Sequence, residues 1–487
     1  MAEKVMINER LSKLADIRAM GLNPYPYSFN RKDNSGDIMA KFSFLKPEQK
    51  SGVEVSVAGR LMLLRRMGKV TFADLADQSG KIQLYFRFDD IGEKQYELVR
   101  KLDLGDIVGV MGSVFKTKMG EVTVHVDGLN LLAKGVRGLP DKYHGLKDVE
   151  IRYRKRYLDL VSNPETRDVF VKQARIIREI RSFFDSRGFV EVQTPMLQPL
   201  YGGANARPFV TEHRELHMPL YLRISPELYL KRLIVGGFEK VYDINKNFRN
   251  EGVDRSHNPE FMMMEWYEAY TDYNYQMRQF EELVSAVAKK VLGTTRITYQ
   301  GKVLDLAPPW GCLTMIDAIR EYAGLDVGAM SDDELKALAR NYNLGLVEET
   351  RGYIINGLFE QLVESKLDGP VFIIDHPVEV SPLTKVSRSD PRLVERFEVF
   401  MAGMEIGNAY SELNDPIDQR RRLEGQQAHR DVNAEAHPLD EDFLEAMEYG
   451  MPPTGGVGLG IDRLVMVLLD QPCIRDVILF PTMKSKE

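Results

Sequence analysis

The segment FRNEGVDRSHNPEF, residues 248–261, packs Arg249, Glu251, Arg255, His257, Asn258 and a closing Phe261 into one short stretch. A plain hairpin turn asks for glycine, asparagine or aspartate and little else. Strand alternation puts Asn247, Arg249 and, with the strand continued, Glu251 on one face. On the returning strand it groups Phe261, Met263, Glu265 and Tyr267. Superposed, the two faces present a cation, a planar ring and carboxylates. Arg249 suits a bidentate grip on phosphate or carboxylate oxygens. Phe261 suits a stacked purine, Glu251 an exocyclic amine, and His257 and Asn258 outer phosphates. A nucleotide accounts for the whole set. A salt-bridged surface hairpin with a core phenylalanine accounts for the charges but not for their alternation with the ring. From the residues alone both readings stand.

A second stretch, EIGNAYSEL, alternates Asn408, Tyr410 and Glu412 onto one face, with Glu405 just before it and Glu398 upstream of a turn at Ala402-Gly403. Two carboxylates joined by such a turn can bridge divalent ions, which for phosphate chemistry means Mg²⁺ among oxygen ligands. Surface carboxylates are the plainer reading in a chain with 72 acidic residues. The third stretch, GGVGLGIDRLVMVLL from Gly455, is neither a dinucleotide fingerprint nor a P-loop. Its small residues let a backbone approach a ligand. Arg463 in the first turn of the following helix opposes the macrodipole, so helix stability does not select it. HRELH (His213 to His217) has the spacing of a zinc pair but lacks a glutamate directly after the first histidine.

These residues need a scaffold. At 487 residues the chain predicts two or three domains. Its composition, 44% apolar and 28% charged, is that of a soluble globular protein. No apolar run is long enough for a membrane span, and MAEKVMINER lacks the core of a signal peptide, so a cytoplasmic protein is expected. Cys312 and Cys473 cannot make a disulfide framework. Residues 1–150 carry 24 basic against 20 acidic side chains, so a total of −7 leaves −11 on the remainder. That asymmetry suits a first domain that meets nucleic acid; chance in a short segment also accounts for it.

One helix is expected over Glu9 to Met20, then a Pro- and Tyr-rich connector. EVSVAGRLMLLRR reads as a long strand bent at Gly59, and VTFADLADQSGKIQLYFR as a hairpin turning at Gln78-Ser79-Gly80. A helix, GEKQYELVRKL, and two further strands, turning at Met119-Gly120, complete the order of an OB-fold. A connector through RGLPDKYHGLKDVEIRYRKRYLDL leads to a helix opened by Asn163-Pro164. The strands FVEVQT, KVYDINKNFR, FMMMEWYEAY, PVFIIDHP and RFEVFMAGMEIGNAYSEL follow, with a capping box at Ser331 to Glu334 between them. The expected class is α+β: an N-terminal OB-fold β-barrel, then a domain built on an antiparallel sheet flanked by helices.

FRNEGVDRSHNPEFMMMEWYEAY resembles motif 2 of the class II aminoacyl-tRNA synthetases, GLGIDRLVMVLL resembles their motif 3, and the helix and strand ending FVEVQTPML resemble motif 1. Within that class GGANARPF, RISPELYLKRL, MEIGNAYSELNDP, IRDVILFP and DKYHGL are similar to the bacterial-type lysyl-tRNA synthetases. The likeness runs in order over nearly the whole chain. It implies an anticodon-binding domain over residues 1–145 and a catalytic domain over 146–487. Motifs 1, 2 and 3 then fall at about 170–196, 240–270 and 455–482, with a mostly helical insertion at about 295–370.

The resemblance also implies roles. Arg249 holds the α-phosphate and the amino acid carboxylate, Glu251 reads the adenine amine, and Phe261 and Arg463 sandwich the adenine. Gly458 lies against the nucleotide, His257 and Asn258 attend the phosphates, and Glu398 and Glu405 hold up to three Mg²⁺ with ATP. Gly203 and Glu227 receive the α-amino group of L-lysine and Asn408 its carboxylate. Tyr410 lines the stem, a position where relatives are expected to carry phenylalanine, and Glu412 and Tyr267 meet the ε-ammonium. An acidic end favours lysine over aspartate or asparagine by about 3–5 kcal/mol. Phe72 and Gln83, helped by Glu121 and Arg60, read the tRNA(Lys) anticodon. Arg65 and Arg66 sit one position later than the family pattern and receive no base. The implied partners are tRNA(Lys), lysine, ATP and a second copy of the chain joined through motif 1, with no membrane and no DNA. Two alternatives stay open: an aspartyl/asparaginyl-type synthetase, and a synthetase-like protein that binds RNA or an amino acid without catalysis.

Overall fold

The structure, a computed structural model, describes residues 2–140, 146–346, 348–428 and 438–485. Residues 1–147 and 148–487 form two compact units, each described by itself. The DKYHG segment of the expected linker lies outside the described residues.

In the first unit β1 (Lys50–Met67), β2 (Val70–Ala76), β3 (Lys81–Arg87), β4 (Ile107–Lys116) and β5 (Val122–Ala133) make an OB-type barrel in the order β1-β2-β3-β5-β4. β1 pairs with β4 up to Arg60 and with β2 from Arg60 onward. The bend at Gly59 is required by packing, because a Cβ there would run into the Ala76 carbonyl and the Leu75 side chain. Alternate residues such as Val57, Leu61, Leu75, Leu84, Phe86, Val108, Val110 and Val124 fill the interior completely. The N-terminal helix runs Ala2–Ala19, starting earlier than expected. Nothing before Glu9 breaks it, and Arg10 anchors it to the carbonyls of Gly135 and Arg137 at 2.9 and 3.2 Å. The expected connector contains a second helix, Ser35–Phe42, whose Ile38 and Phe42 join the barrel core.

The second unit carries β6 (Val190–Glu191), β7 (Leu197–Gln198), β8 (Val210–His213), β9 (Met218–Leu222), β10 (Lys240–Phe248), β11 (Glu260–Ala269), β12 (Arg296–Tyr299), β13 (Lys302–Asp305), β14 (Gly311–Thr314), β15 (Val371–Pro377), β16 (Leu393–Met401), β17 (Met404–Ser411) and β18 (Thr454–Gly460). Eight of them form one sheet, β14-β15-β16-β17-β18-β11-β10-β6, antiparallel except at its two edges. The connector from Val149 is helical: Asp148 accepts the Ile151 N–H and buried Arg156 pairs with Asp159 at 2.7 Å. The expected strand FVEVQT is cut to Val190–Glu191. Past it, Thr194 turns its N–H and hydroxyl to the Asp243 carboxylate (3.1 and 2.8 Å) instead of continuing the ladder. The capping box at Ser331 opens the helix Asp332–Asn341 as expected, and Ala402 and Gly403, both at positive φ, make the turn between β16 and β17.

One face of the sheet is core. Trp266, Phe397, Val399, Ala409, Val457 and Leu459 are buried there with the helices Pro164–Asp185 and Tyr273–Leu292. Phe184 packs its ring on Tyr242 and Trp266, at 5.4 and 5.0 Å between centroids. The opposite face is free to hold chemistry. Phe184→Ala should lower the unfolding free energy of this unit by about 3–5 kcal/mol in urea titrations. A loss below about 1 kcal/mol would show that the ring does not seat the β10–β11 hairpin.

Candidate active site

Pairing register lays the second face of the sheet out as a grid. One row reads Arg396, Tyr410, Gly456, Tyr267; the next reads Glu398, Asn408, Gly458, Glu265, Asp243. Partners across antiparallel strands point the same way, so these side chains rise together over the glycines of β18. Above them lies a cavity of about 340 Å³. Gly203, Glu227, Arg249, Glu251, His257, Asn258, Phe261, Tyr267, Glu405, Asn408, Tyr410, Gly458 and Arg463 all line it. Residues spread over the whole second unit thus meet in one place.

At one end the groups are cationic. β10 stops at Phe248, so Arg249 and Glu251 lie in the loop rather than on a continued strand. The Arg249 guanidinium sits 5.2 Å from the centre of the Phe261 ring, and its Nε has no hydrogen-bond partner among the described residues. Asn258 Oδ1 and both amide atoms of Asn247 are likewise buried and unpartnered. Buried polar atoms are rarely left so unless a ligand supplies the partner. Burial pulls the Arg249 pKa down, against the pull of Glu251 and Glu405. Arg463 reaches the loop from the helix Ile461–Leu468: its Nη1 donates to the Glu405 carbonyl at 2.7 Å and Nη2 contacts His257 Nε2 at 3.0 Å. His257 is oriented in turn by Asp254 at 2.8 Å. Asp462 fastens the same helix to β11 by accepting the Met262 N–H at 2.7 Å, and burial pushes its carboxyl up to about 6.

The other end is acidic. Glu265, which no motif assigns a role, accepts hydrogen bonds from Ser225 Oγ (2.7 Å) and the Tyr267 hydroxyl (3.0 Å), and burial pushes its pKa up to about 8. Its alternation with Tyr267 was the available signal. Glu412 lies over the floor at Gly456: a Cβ there would strike its carboxylate and the Tyr267 ring. Burial pushes Glu412 up to about 8 as well, against Lys231, whose Nζ lies 2.5 Å from Oε2. Oε1 keeps no hydrogen-bond partner among the described residues. Gly203, at φ 86°, lies against Ser225 and Glu227, where a Cβ would come within 2.7 Å of the serine oxygen.

Glu398 departs from expectation. It does not line the cavity but pairs with Arg396 at 2.6 Å. Arg396 escaped the sequence reading, although it alternates with Glu398. A guanidinium only donates, so Asn408 must turn Oδ1 to Arg396 Nε (3.1 Å), which leaves Nδ2 beside the Tyr410 hydroxyl (3.2 Å). Glu360 and Glu364 crowd this corner; burial and the neighbouring Glu398 push Glu364 up to about 8. Among the described residues no three carboxylate, histidine or cysteine side chains form a metal-binding group.

In the first unit Phe72 and Gln83 stand on the outer barrel face, with Gln83 hydrogen-bonded to Glu121 and to Thr123. Phe72 begins a row of rings that the sequence reading missed: Tyr85 lies 5.1 Å from it, and Phe115 and His125 lie 5.8 and 5.3 Å from Tyr85. Arg60 stands apart, opposite Ala76, donating to the Gly105 carbonyl at 2.7 Å. Arg65 lies opposite Phe72, whereas Arg66 donates to the Leu102 carbonyl at 2.6 Å.

Residues 148–484 match the model of the class II tRNA synthetases (D, K and N), and residues 55–132 that of the OB-fold nucleic acid binding domain. The chain is 54% identical to a lysine–tRNA ligase of Syntrophomonas wolfei, covering 98% of this chain and 96% of the relative. It is 54% identical to one of Moorella thermoacetica (100% and 99%) and 53% identical to one of Methanoculleus marisnigri (98% and 94%). No described helix is long and apolar enough to cross a membrane.

A buried guanidinium with an unpartnered Nε is a receptor for an oxyanion. Pyrophosphate should therefore raise the thermal unfolding temperature. Arg249→Met should lose that shift while unfolding no lower than the native protein without pyrophosphate. An undiminished shift in the variant would remove Arg249 from the anion site.

Proposed function

Because the chain belongs to the class II tRNA synthetases of the D, K and N group, we propose that it activates L-lysine with ATP and transfers the lysyl group to the 3′ end of tRNA(Lys). The observation that carries this is the polarity of the cavity: buried carboxylates at one end, and at the other a guanidinium whose Nε has no hydrogen-bond partner among the described residues. Lysine fits with its ε-ammonium among Glu265, Tyr267 and Glu412, its stem along Tyr410, its α-ammonium toward Gly203 and Glu227, and its carboxylate toward Asn408 and Arg249. Adenine stacks between Phe261 and Arg463 with Glu251 at its amine and Gly458 beneath, and His257 and Asn258 take phosphate oxygens.

The lysine carboxylate attacks the α-phosphorus in line. The new C–O–P bond forms as the bond to pyrophosphate breaks, leaving lysyl-adenylate. A carboxylate is already a nucleophile at neutral pH, so no general base is needed. Arg249 and Arg463 align the reactants and neutralise developing charge. A ribose hydroxyl of the terminal adenosine then displaces AMP. Glu398 and Glu405 fit Mg²⁺: both are hard oxygen donors, each already faces a guanidinium, and the surrounding carboxylates leave negative charge in excess. Bound there with ATP, the ion would offset phosphate charge.

Phe72, Gln83 and Glu121, with Arg65 rather than Arg60 beside them, would take unstacked anticodon bases. Exposed Val171, Val190, Met196 and Leu197 support a homodimer formed through this region.

ATP–pyrophosphate exchange without tRNA should proceed with lysine and not with aspartate or asparagine. Exchange with either of those would overturn the pocket assignment, and exchange with none would leave a binding protein. The exchange KM also has a predicted pH dependence. Glu265 and Glu412 hold protons below about pH 8 in the empty pocket and must lose them to an ammonium. Lysine KM should therefore fall as pH rises toward 8, and a flat profile would exclude those carboxylates from the ammonium site.

A further inference from the structure

Lys231 is fully buried on the helix Glu227–Val235, its Nζ 2.6 Å from Glu227 Oε1 and 2.5 Å from Glu412 Oε2. It does not line the cavity, and none of the roles above uses it. Burial by itself would strip its proton, but Glu227 and Glu412 outweigh that and hold it as an ammonium. A pocket for an ammonium group thus contains one of the protein's own.

The charges around it can be counted. Glu227 comes from the same helix, Glu265 from β11, and Glu412 from the residue after β17. Arg223 is already spent on Asp243 at 2.9 Å. Tyr267 and Tyr410 stay neutral, since burial pushes both hydroxyls up. Three carboxyl groups therefore share one cation in the empty pocket, where burial favours the protonated form of Glu265 and Glu412, and lysine brings two more cations. We infer that Lys231 is a specificity-determining residue: it is the third cation, which lets all three carboxyls ionise in a neutral buried pocket when, and only when, the occupant carries two ammonium groups. This rests on the reading of the cavity as a lysine site. An amino acid with one ammonium leaves one of the three carboxyls protonated and forfeits the buried ion pair it would make. Lys231 also fixes Glu412 by one oxygen, leaving Oε1 for the substrate.

The inference predicts a change of sign that a merely structural lysine does not. In the native background Lys231→Met leaves one carboxyl without a counter-cation, so that it keeps its proton and pairs poorly with the substrate; lysine KM in ATP–pyrophosphate exchange should then rise about tenfold, with kcat and the KM for ATP within about twofold. In a Glu412→Gln background the same change removes an excess cation. The double variant K231M/E412Q should then have a lower lysine KM than E412Q alone. A double variant no better than E412Q overturns the inference, as does an unchanged or lower lysine KM for K231M. If K231M by itself fails to fold, the comparison of the double variant with E412Q still decides the question. Absence of lysine-dependent exchange in the native protein would instead remove the lysine reading, a separate outcome read in the same assay.

Discussion

The site depends on the lack of side chains along one face of β18. That strand lies inside the sheet between β11 and β17, where a glycine is a weak choice for stability. Yet Gly456, Gly458 and Gly460 recur at every second position, so one face of the strand is bare while Val457 and Leu459 fill the core on the other. The bare face is the floor of the cavity. At Gly456 even a methyl group would meet Glu412 and Tyr267. The sheet's period of two thus separates packing from chemistry without any added layer, and the aromatic core formed by Phe184, Trp266 and Phe280 can be rigid without obstructing the ligand.

On that floor the charges are sorted by distance along the strands. Carboxylates gather where β11 and β17 bring Glu265 and Glu412 behind Tyr267, and guanidiniums gather where the loop after β10 meets the start of the helix Ile461–Leu468. Each charged group is either paired inside the protein or left with a free valence toward the cavity. Arg396 shows the first case: it holds Glu398 and sets the Asn408 amide with one guanidinium, so the expected metal corner and the carboxylate reader share a fixed point. Arg249 and Glu412 Oε1 show the second. An amino acid with a cationic tail and an anionic head matches that polarity end to end, which is why the electrostatics and the resemblance to lysine–tRNA ligases agree.

Much of this was legible in the residue order. Alternation put Phe261, Glu265 and Tyr267 on one face and Asn408 and Tyr410 on another, and the structure brings those faces together around β18. Gly59, the turn at Ala402-Gly403, and the capping box at Ser331 were local signals, and local signals survive folding because their geometry closes within a few residues. The edge strand after Phe189 was misread, and the connector before Asn163 was left without a conformation. In each a side chain found a distant partner: Thr194 at Asp243, and Arg156 at the carbonyls of Arg475 and Leu479.

The sequence by itself therefore determined the elements, the two families of alternating side chains and the chemistry they could carry. Which of those side chains face a ligand and which satisfy one another was decided by tertiary structure alone. Glu398 carries the same carboxylate as Glu405, but only Glu405 borders the cavity, while Glu398 pairs with Arg396. Lys231 looks like one turn of an ordinary i,i+4 pair with Glu227 until Glu412, far along the chain, closes on its other side. Burial and pairing of charge depend on what surrounds a group in three dimensions, and no spacing along the chain encodes that surrounding.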